Sequence, residues 1–191
     1  MRNNTLFLAL LFFALLPSCK NDPKATDARA QNIDTLQVLA VPAEGAEIYV
    51  VVDGIIEWSG MHTLNKDGHQ GTIVVESGEL LINNGQPVSG KFTIDMNTVS
   101  VSDIKDPGER RDLESHLKDA DFFEVKAYPK AVFEFKEVLP SETTPAFNWV
   151  LNGTLTMKGK TNPVVVPAKI TLEGDMLKAE TPSFSINRTQ W

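Results

Sequence analysis

Residues 149–172 run WVLNGTLTMKGKTNPVVVPAKITL, two alternating stretches joined by a glycine turn. In the first, Trp149, Leu151, Gly153, Leu155 and Met157 alternate with Val150, Asn152, Thr154, Thr156 and Lys158. In the second, Val164, Val166, Ala168, Ile170 and Leu172 alternate with Val165, Pro167, Lys169 and Thr171. A period of two sends successive side chains to opposite faces of a strand, so each stretch reads as a strand with one apolar face. Lys158-Gly159 between them supplies the glycine that a tight hairpin requires.

The same pattern extends in both directions. Phe92, Ile94 and Met96 alternate with Thr93, Asp95 and Asn97, Ala131, Phe133 and Phe135 with Val132, Glu134 and Lys136, and Phe184 and Ile186 with Ser185 and Asn187. Asp67-Gly68, Ser77-Gly78, Asn84-Gly85 and Glu173-Gly174 are read as further turns between strands. Short turns between strands predict an antiparallel meander. The absence of β-α-β alternation and of a glycine-rich phosphate loop argues against a nucleotide-binding α/β fold. One segment departs from the pattern: Asp106-Pro107 suits a helix start, and Leu113 and Leu117, four apart, share one face of a helix running to about Lys118. Asp121-Phe122-Phe123 is read as a second helical turn. The fold expected is an all-β, lipocalin-like antiparallel barrel with a short helical insert. Such a barrel either packs solid or encloses one apolar ligand, and the alternation does not choose between them.

The chain has 191 residues, 42% hydrophobic and 23% charged, as for one ordinary globular domain. Its formal net charge of −7 argues against nucleic acid and against a polybasic grip on anionic lipid. The N-terminus offers another route to a membrane. Arg2 precedes an apolar run over residues 6–16, which as a helix would span about 16 Å against roughly 30 Å of hydrocarbon, the size of a signal-peptide core. Leu16-Pro17-Ser18-Cys19 follows, similar to a lipobox, and Cys19 is the only cysteine. Residues 1–18 are therefore expected to be a lipoprotein signal peptide. Residues 19–46 are read as the lipidated Cys19 and a polar tether, and residues 47–191 as the barrel domain. An exported protein held in the bacterial cell envelope by its acyl anchor follows.

Ordered motifs add a resemblance. His69-Gln70-Gly71-Thr72, Ser77-Gly78-Glu79-Leu80 and Gly90-Lys91-Phe92-Thr93-Ile94-Asp95-Met96 come first. His116-Leu117-Lys118, Asp121-Phe122-Phe123-Glu124-Val125 and Tyr128-Pro129-Lys130-Ala131-Val132-Phe133-Glu134 follow. Gly153-Thr154-Leu155-Thr156-Met157-Lys158-Gly159, Asn162-Pro163-Val164 and Ile186-Asn187-Arg188-Thr189 complete the set. Together they resemble the YceI-like family over about residues 47–191. The resemblance implies a lipocalin-like barrel holding a polyisoprenoid, a quinone or polyprenyl lipid, in its apolar interior. It also implies a further strand after the Asn-Arg-Thr motif, so Trp191 is expected to fall in mid-strand and the final strand to be missing from a fragment.

The residues expected to contact a lipid tail are Phe92, Ile94, Phe133, Phe135, Leu155 and Met157, with Trp58, Phe122 and Phe123 at a mouth. Arg188 and His69 are the candidates for a headgroup. No cofactor other than a bound polyisoprenoid is expected, and no metal, because His62, His69 and His116 do not fall at a ligand spacing. Two rival readings remain at this stage. One is a structural or adhesive surface domain with a solid core. The other is a glycan-acting enzyme drawing on the 25 acidic residues, although no Gly-x-Ser-x-Gly or His-Glu-x-x-His motif supports catalysis.

Overall fold

The alternating segments form strands that follow one another around a nearly closed antiparallel β-barrel carrying one helix. A computed structural model describes residues 5–11, 45–61, 68–142 and 146–191. In chain order the elements begin with β1 (Thr5–Leu11), β2 (Ala46–Val50), β3 (Asp53–Met61), β4 (Gly68–Asn83) and β5 (Gln86–Val101). Helix α1 (Pro107–Lys118) precedes β6 (Lys130–Pro140), β7 (Trp149–Met157), β8 (Lys160–Glu173), β9 (Met176–Glu180) and β10 (Phe184–Ser185). A 3-10 turn (Arg188–Gln190) ends the chain. From β3 to β9 each strand pairs with the next in antiparallel register. Strand β2 continues the line of β3 along β4, and Val51 bridges the break by donating its N–H to the Gly78 carbonyl at 2.8 Å.

The turn chemistry is local. Asn84 and Gly85 take φ of 50° and 76°, and Lys158 and Gly159 take 49° and 71°, two-residue loops whose twist matches that of the strands they join. Ser77-Gly78 differs from its sequence reading. It lies inside β4, beside an irregular register between Val75 and Ser77. A Cβ at Gly78 would run into the Phe92 ring, so this glycine serves close packing and not a turn.

The barrel has two unlike ends. At one, α1 starts as expected: the Asp106 carboxylate accepts from the N–H groups of Gly108 and Glu109 at 2.7 and 3.0 Å, and Leu117 is buried while Leu113 packs against the core. Residues 121–123 are turns, not the helical turn expected. The Phe123 N–H donates to the Leu117 carbonyl and the Glu124 N–H to that of Asp119, which redirects the chain and buries Val125. Trp191 also differs from expectation. It follows the 3-10 turn instead of continuing a strand, and its buried indole N–H donates to the Leu155 carbonyl at 2.9 Å. The opposite end carries the β4–β5 and β8–β9 hairpin tips, the β6–β7 connection and the start of β2.

Strand β1 lies within the run expected to be a leader. It pairs in parallel with β3, from Thr5 opposite Asp53 to Leu11 opposite Ser59, and touches β9 and β10 on its other side. In the uncleaved chain this run meets two strand edges whose N–H and C=O groups would otherwise lack ladder partners. Cys19 and residues 20–44 lie outside the described residues.

Candidate functional site

Three aromatic rings organise the interior. Phe92, Phe133 and Phe135 project inward from β5 and β6, and each is less than a tenth exposed. Phe92 stacks on Phe133 at 6.5 Å between centroids and on Phe135 at 6.4 Å, while Phe133 and Phe135 meet at 5.7 Å and a 34° tilt. Backbone approach makes room for them. A Cβ at Gly90 would come within 2.7 Å of the Phe135 ring, and one at Gly153 within 2.8 Å of the Phe133 ring.

Beside the rings is a void of ≈ 30 Å³, space for about two water molecules. Its wall is apolar, and among the described residues that line it Thr181 alone has a side chain with a polar atom. An apolar cavity of this kind stays dry. Of the residues expected to contact a lipid tail, Phe92, Ile94, Phe133 and Phe135 line it. Leu155 and Met157 are buried in the core outside the lining. Ile56, Leu151, Val166, Ala168, Ile170 and Ala179 complete much of the wall. Leu151, Val166, Ala168 and Ile170 belong to the quoted alternation, whose period does not separate them from Leu155 and Met157 on the same faces. Ile56 sits in Ile55-Ile56, where the alternation is broken, and Ala179 is too small to carry a signal.

The residues expected at a mouth and headgroup lie elsewhere. Trp58 faces β5 and donates its indole N–H to the Ser100 carbonyl at 3.1 Å, so its polar atom is satisfied within the sheet. Phe122 and Phe123 meet edge to face at 4.7 Å beyond α1, and Arg188 lies over the Phe122 ring at 3.8 Å, a cation–π contact. That guanidinium braces the helix end. His69 binds the Asp103 carboxylate at 2.9 Å, and the Gln70 N–H donates to the other oxygen of the same carboxylate. Burial would raise the Asp103 carboxyl above its ordinary value, but the Gln70 N–H and the His69 ring outweigh it and hold it below. Asp95 is likewise held down, first by the Asn97 side-chain amide and then by Lys130. These charges sit outside the barrel. Among the described residues no group of three His, Cys, Asp or Glu side chains is placed to hold a metal, and no helix is long and apolar enough to cross a membrane.

The YceI-like domain profile matches residues 47–191. The chain belongs to the YceI-like family. A UPF0312 protein of Azotobacter vinelandii is 27% identical over 150 residues, covering 73% of this chain and 74% of that one. Protein YceI of Escherichia coli is 29% identical over 105 residues, or 55% and 50% of the two chains. Among solved structures, Burkholderia cenocepacia BcnA matches with a TM-score of 0.40 and 23% identity, and a Campylobacter jejuni YCEI protein with 0.37 and 22%. Each of those matches covers 51% of this chain, and 61% and 54% of the solved chains respectively. The YceI-like family is a binding-type barrel fold and not an enzyme family.

Proposed function

We propose that this YceI-like barrel binds a polyisoprenoid, a quinone or polyprenyl lipid, in its interior, and carries or sequesters it as a lipoprotein anchored through Cys19. The supporting observation is the apolar void beside the Phe92, Phe133 and Phe135 rings, inside a barrel of a family that binds such chains. Each buried methylene stabilises by about 0.8 kcal/mol, so an isoprene unit of five carbons contributes several kcal/mol without any polar contact. The same tail is equally content in hydrocarbon, which lets a membrane-held carrier exchange it with the bilayer.

The void is far smaller than a prenyl tail. Uptake therefore requires the stacked rings to part, and the attraction of the tail must offset the packing they lose. The small volume favours a second reading, a structural surface domain with a packed interior. Lipid extraction and mass spectrometry of the exported protein separate the two. A stoichiometric prenyl lipid or quinone supports the carrier. A protein that is empty as isolated, and that takes up no added prenyl lipid, leaves the structural domain.

A further inference from the structure

Exposed apolar side chains are unevenly placed around this barrel. Of the ten large hydrophobic residues exposed among the described residues, five gather at the end opposite α1: Ile48, Val88, Leu139, Leu172 and Met176. Each is at least 40% exposed. They come from β2, the β4–β5 and β8–β9 hairpins and the end of β6, so they surround one mouth. Ile48 faces outward directly opposite Leu81, with Val88 beside that pair, and Leu139 pairs with Val150. Leu172 differs in kind. Its cross-strand partner Leu177 is buried on the inner face, so Leu172 is an inward side chain left open at the rim.

The inner face that lines the void continues to this end. Its lining residues Leu80, Leu151 and Ile170 continue, two residues along the same strand face, into Ile82, Trp149 and Leu172. The other end is sealed by α1, Val125 and the Trp191 indole. The chain also joins the barrel at the open end: Ala46 pairs with Asn83 beside the Asn84-Gly85 hairpin, and residues 19–44 lead to it.

We infer that this hairpin end is a docking surface for the bilayer in which the Cys19 anchor sits, and that a lipid tail passes between bilayer and barrel through it. This rests on the anchored-carrier reading above. The partner is a lipid surface engaged by apolar contact. Glu47, Glu137, Glu142, Glu173 and Asp175 around the same end repel anionic headgroups, so docking is expected to be stronger on zwitterionic than on anionic vesicles and to change little with salt.

Acylation leaves no free thiol in the native chain, so a single introduced cysteine reports its own position. The processed full chain, as Met176→Cys or Ser115→Cys labelled with an environment-sensitive dye, is reconstituted in phosphatidylcholine vesicles containing brominated lipid. Ser115 is an exposed position on α1. The expected result is quenching at position 176 at least threefold greater than at 115, abolished by Leu139→Asp in the 176-labelled chain. Equal quenching, greater quenching at 115, or no quenching at either position overturns the inference. So does a dye shift at 176 on concentrating the protein without vesicles, which would assign the rim to a second copy. Lipid extracted from the same samples keeps the two readings apart: bound prenyl lipid without quenching at 176 sinks the docking surface alone, and quenching at 176 in a protein that never holds lipid sinks the carrier.

Discussion

Phe135→Ala removes the most buried ring of the interior. Phe135 is 1% exposed, stacks on Phe92 and Phe133, and lies against the backbones of Gly90 and Gly153. Truncating a buried phenylalanine costs about 3–5 kcal/mol, the transfer of the ring plus the cavity it leaves. The upper half of that range applies here, because Gly90 beneath the ring has no side chain to move into the gap. With a urea slope of about 2 kcal/mol per molar, the midpoint should fall by roughly 2 M. Urea unfolding of the processed chain followed by circular dichroism measures this directly. Phe122→Ala at the helix end, a half-buried ring held by Phe123 and Arg188, is the comparison and should cost distinctly less. The enlarged void should also accept small apolar ligands, and saturation at a hundred times the dissociation constant restores about 2.7 kcal/mol. A midpoint shift below about 0.3 M for Phe135→Ala would refute the packed aromatic interior.

Three further outcomes follow from the same geometry. Gly153→Ala places a Cβ 2.5 Å from the Glu134 carbonyl oxygen and 2.9 Å from the Phe135 Cβ, so it should destabilise by at least the 1–3 kcal/mol of ordinary overpacking, as read from the urea midpoint. The carboxyls of Asp95 and Asp103 are held below their ordinary range, so their contribution is complete above about pH 4 and is lost as the pH falls through their folded values. Thermal melts from pH 7 down to pH 2 should show stability declining below about pH 4, less steeply in Asp103→Asn. Under the proposed lipoprotein processing, cleavage before Cys19 would remove β1 and leave the β3 edge unpaired. Amide hydrogens across residues 53–59 should therefore exchange faster in the processed chain than in an uncleaved Cys19→Ala chain, and identical exchange would contradict the β1–β3 pairing.

Much of the barrel was legible because burial on one face enforces alternation. Residues 149–172 became β7, a hairpin and β8, with Leu151, Leu155, Met157, Val166, Ala168 and Ile170 all buried. The helix was legible from its Asp106 cap and Pro107. Ser77-Gly78 was not, since a glycine required for close approach of the Phe92 ring has the same one-letter signature as a turn glycine. Residues 121–123 differ for another reason: two adjacent phenylalanines fit a helical turn, while the backbone bonds that bend the chain run back from Phe123 and Glu124 to the Leu117 and Asp119 carbonyls and close the helix instead of extending it. The site was half legible. Strand period identified which faces point inward, but not which inward residues border empty space. That depends on how the rings on β5 and β6 stack over the glycines of their neighbours. It is also why Trp58 and Arg188, chosen for their chemistry, are engaged by Ser100 and Phe122 outside the void.

The barrel interior as the lipid site is tested most directly by isotope-filtered nuclear Overhauser spectroscopy of the methyl-labelled processed chain with a prenyl lipid. The expected contacts join the prenyl chain to the methyls of Ile56, Leu151, Val166 and Ile170, which line the void. Contacts confined to surface methyls such as Val74 and Val165, or none under saturating lipid, would contradict it.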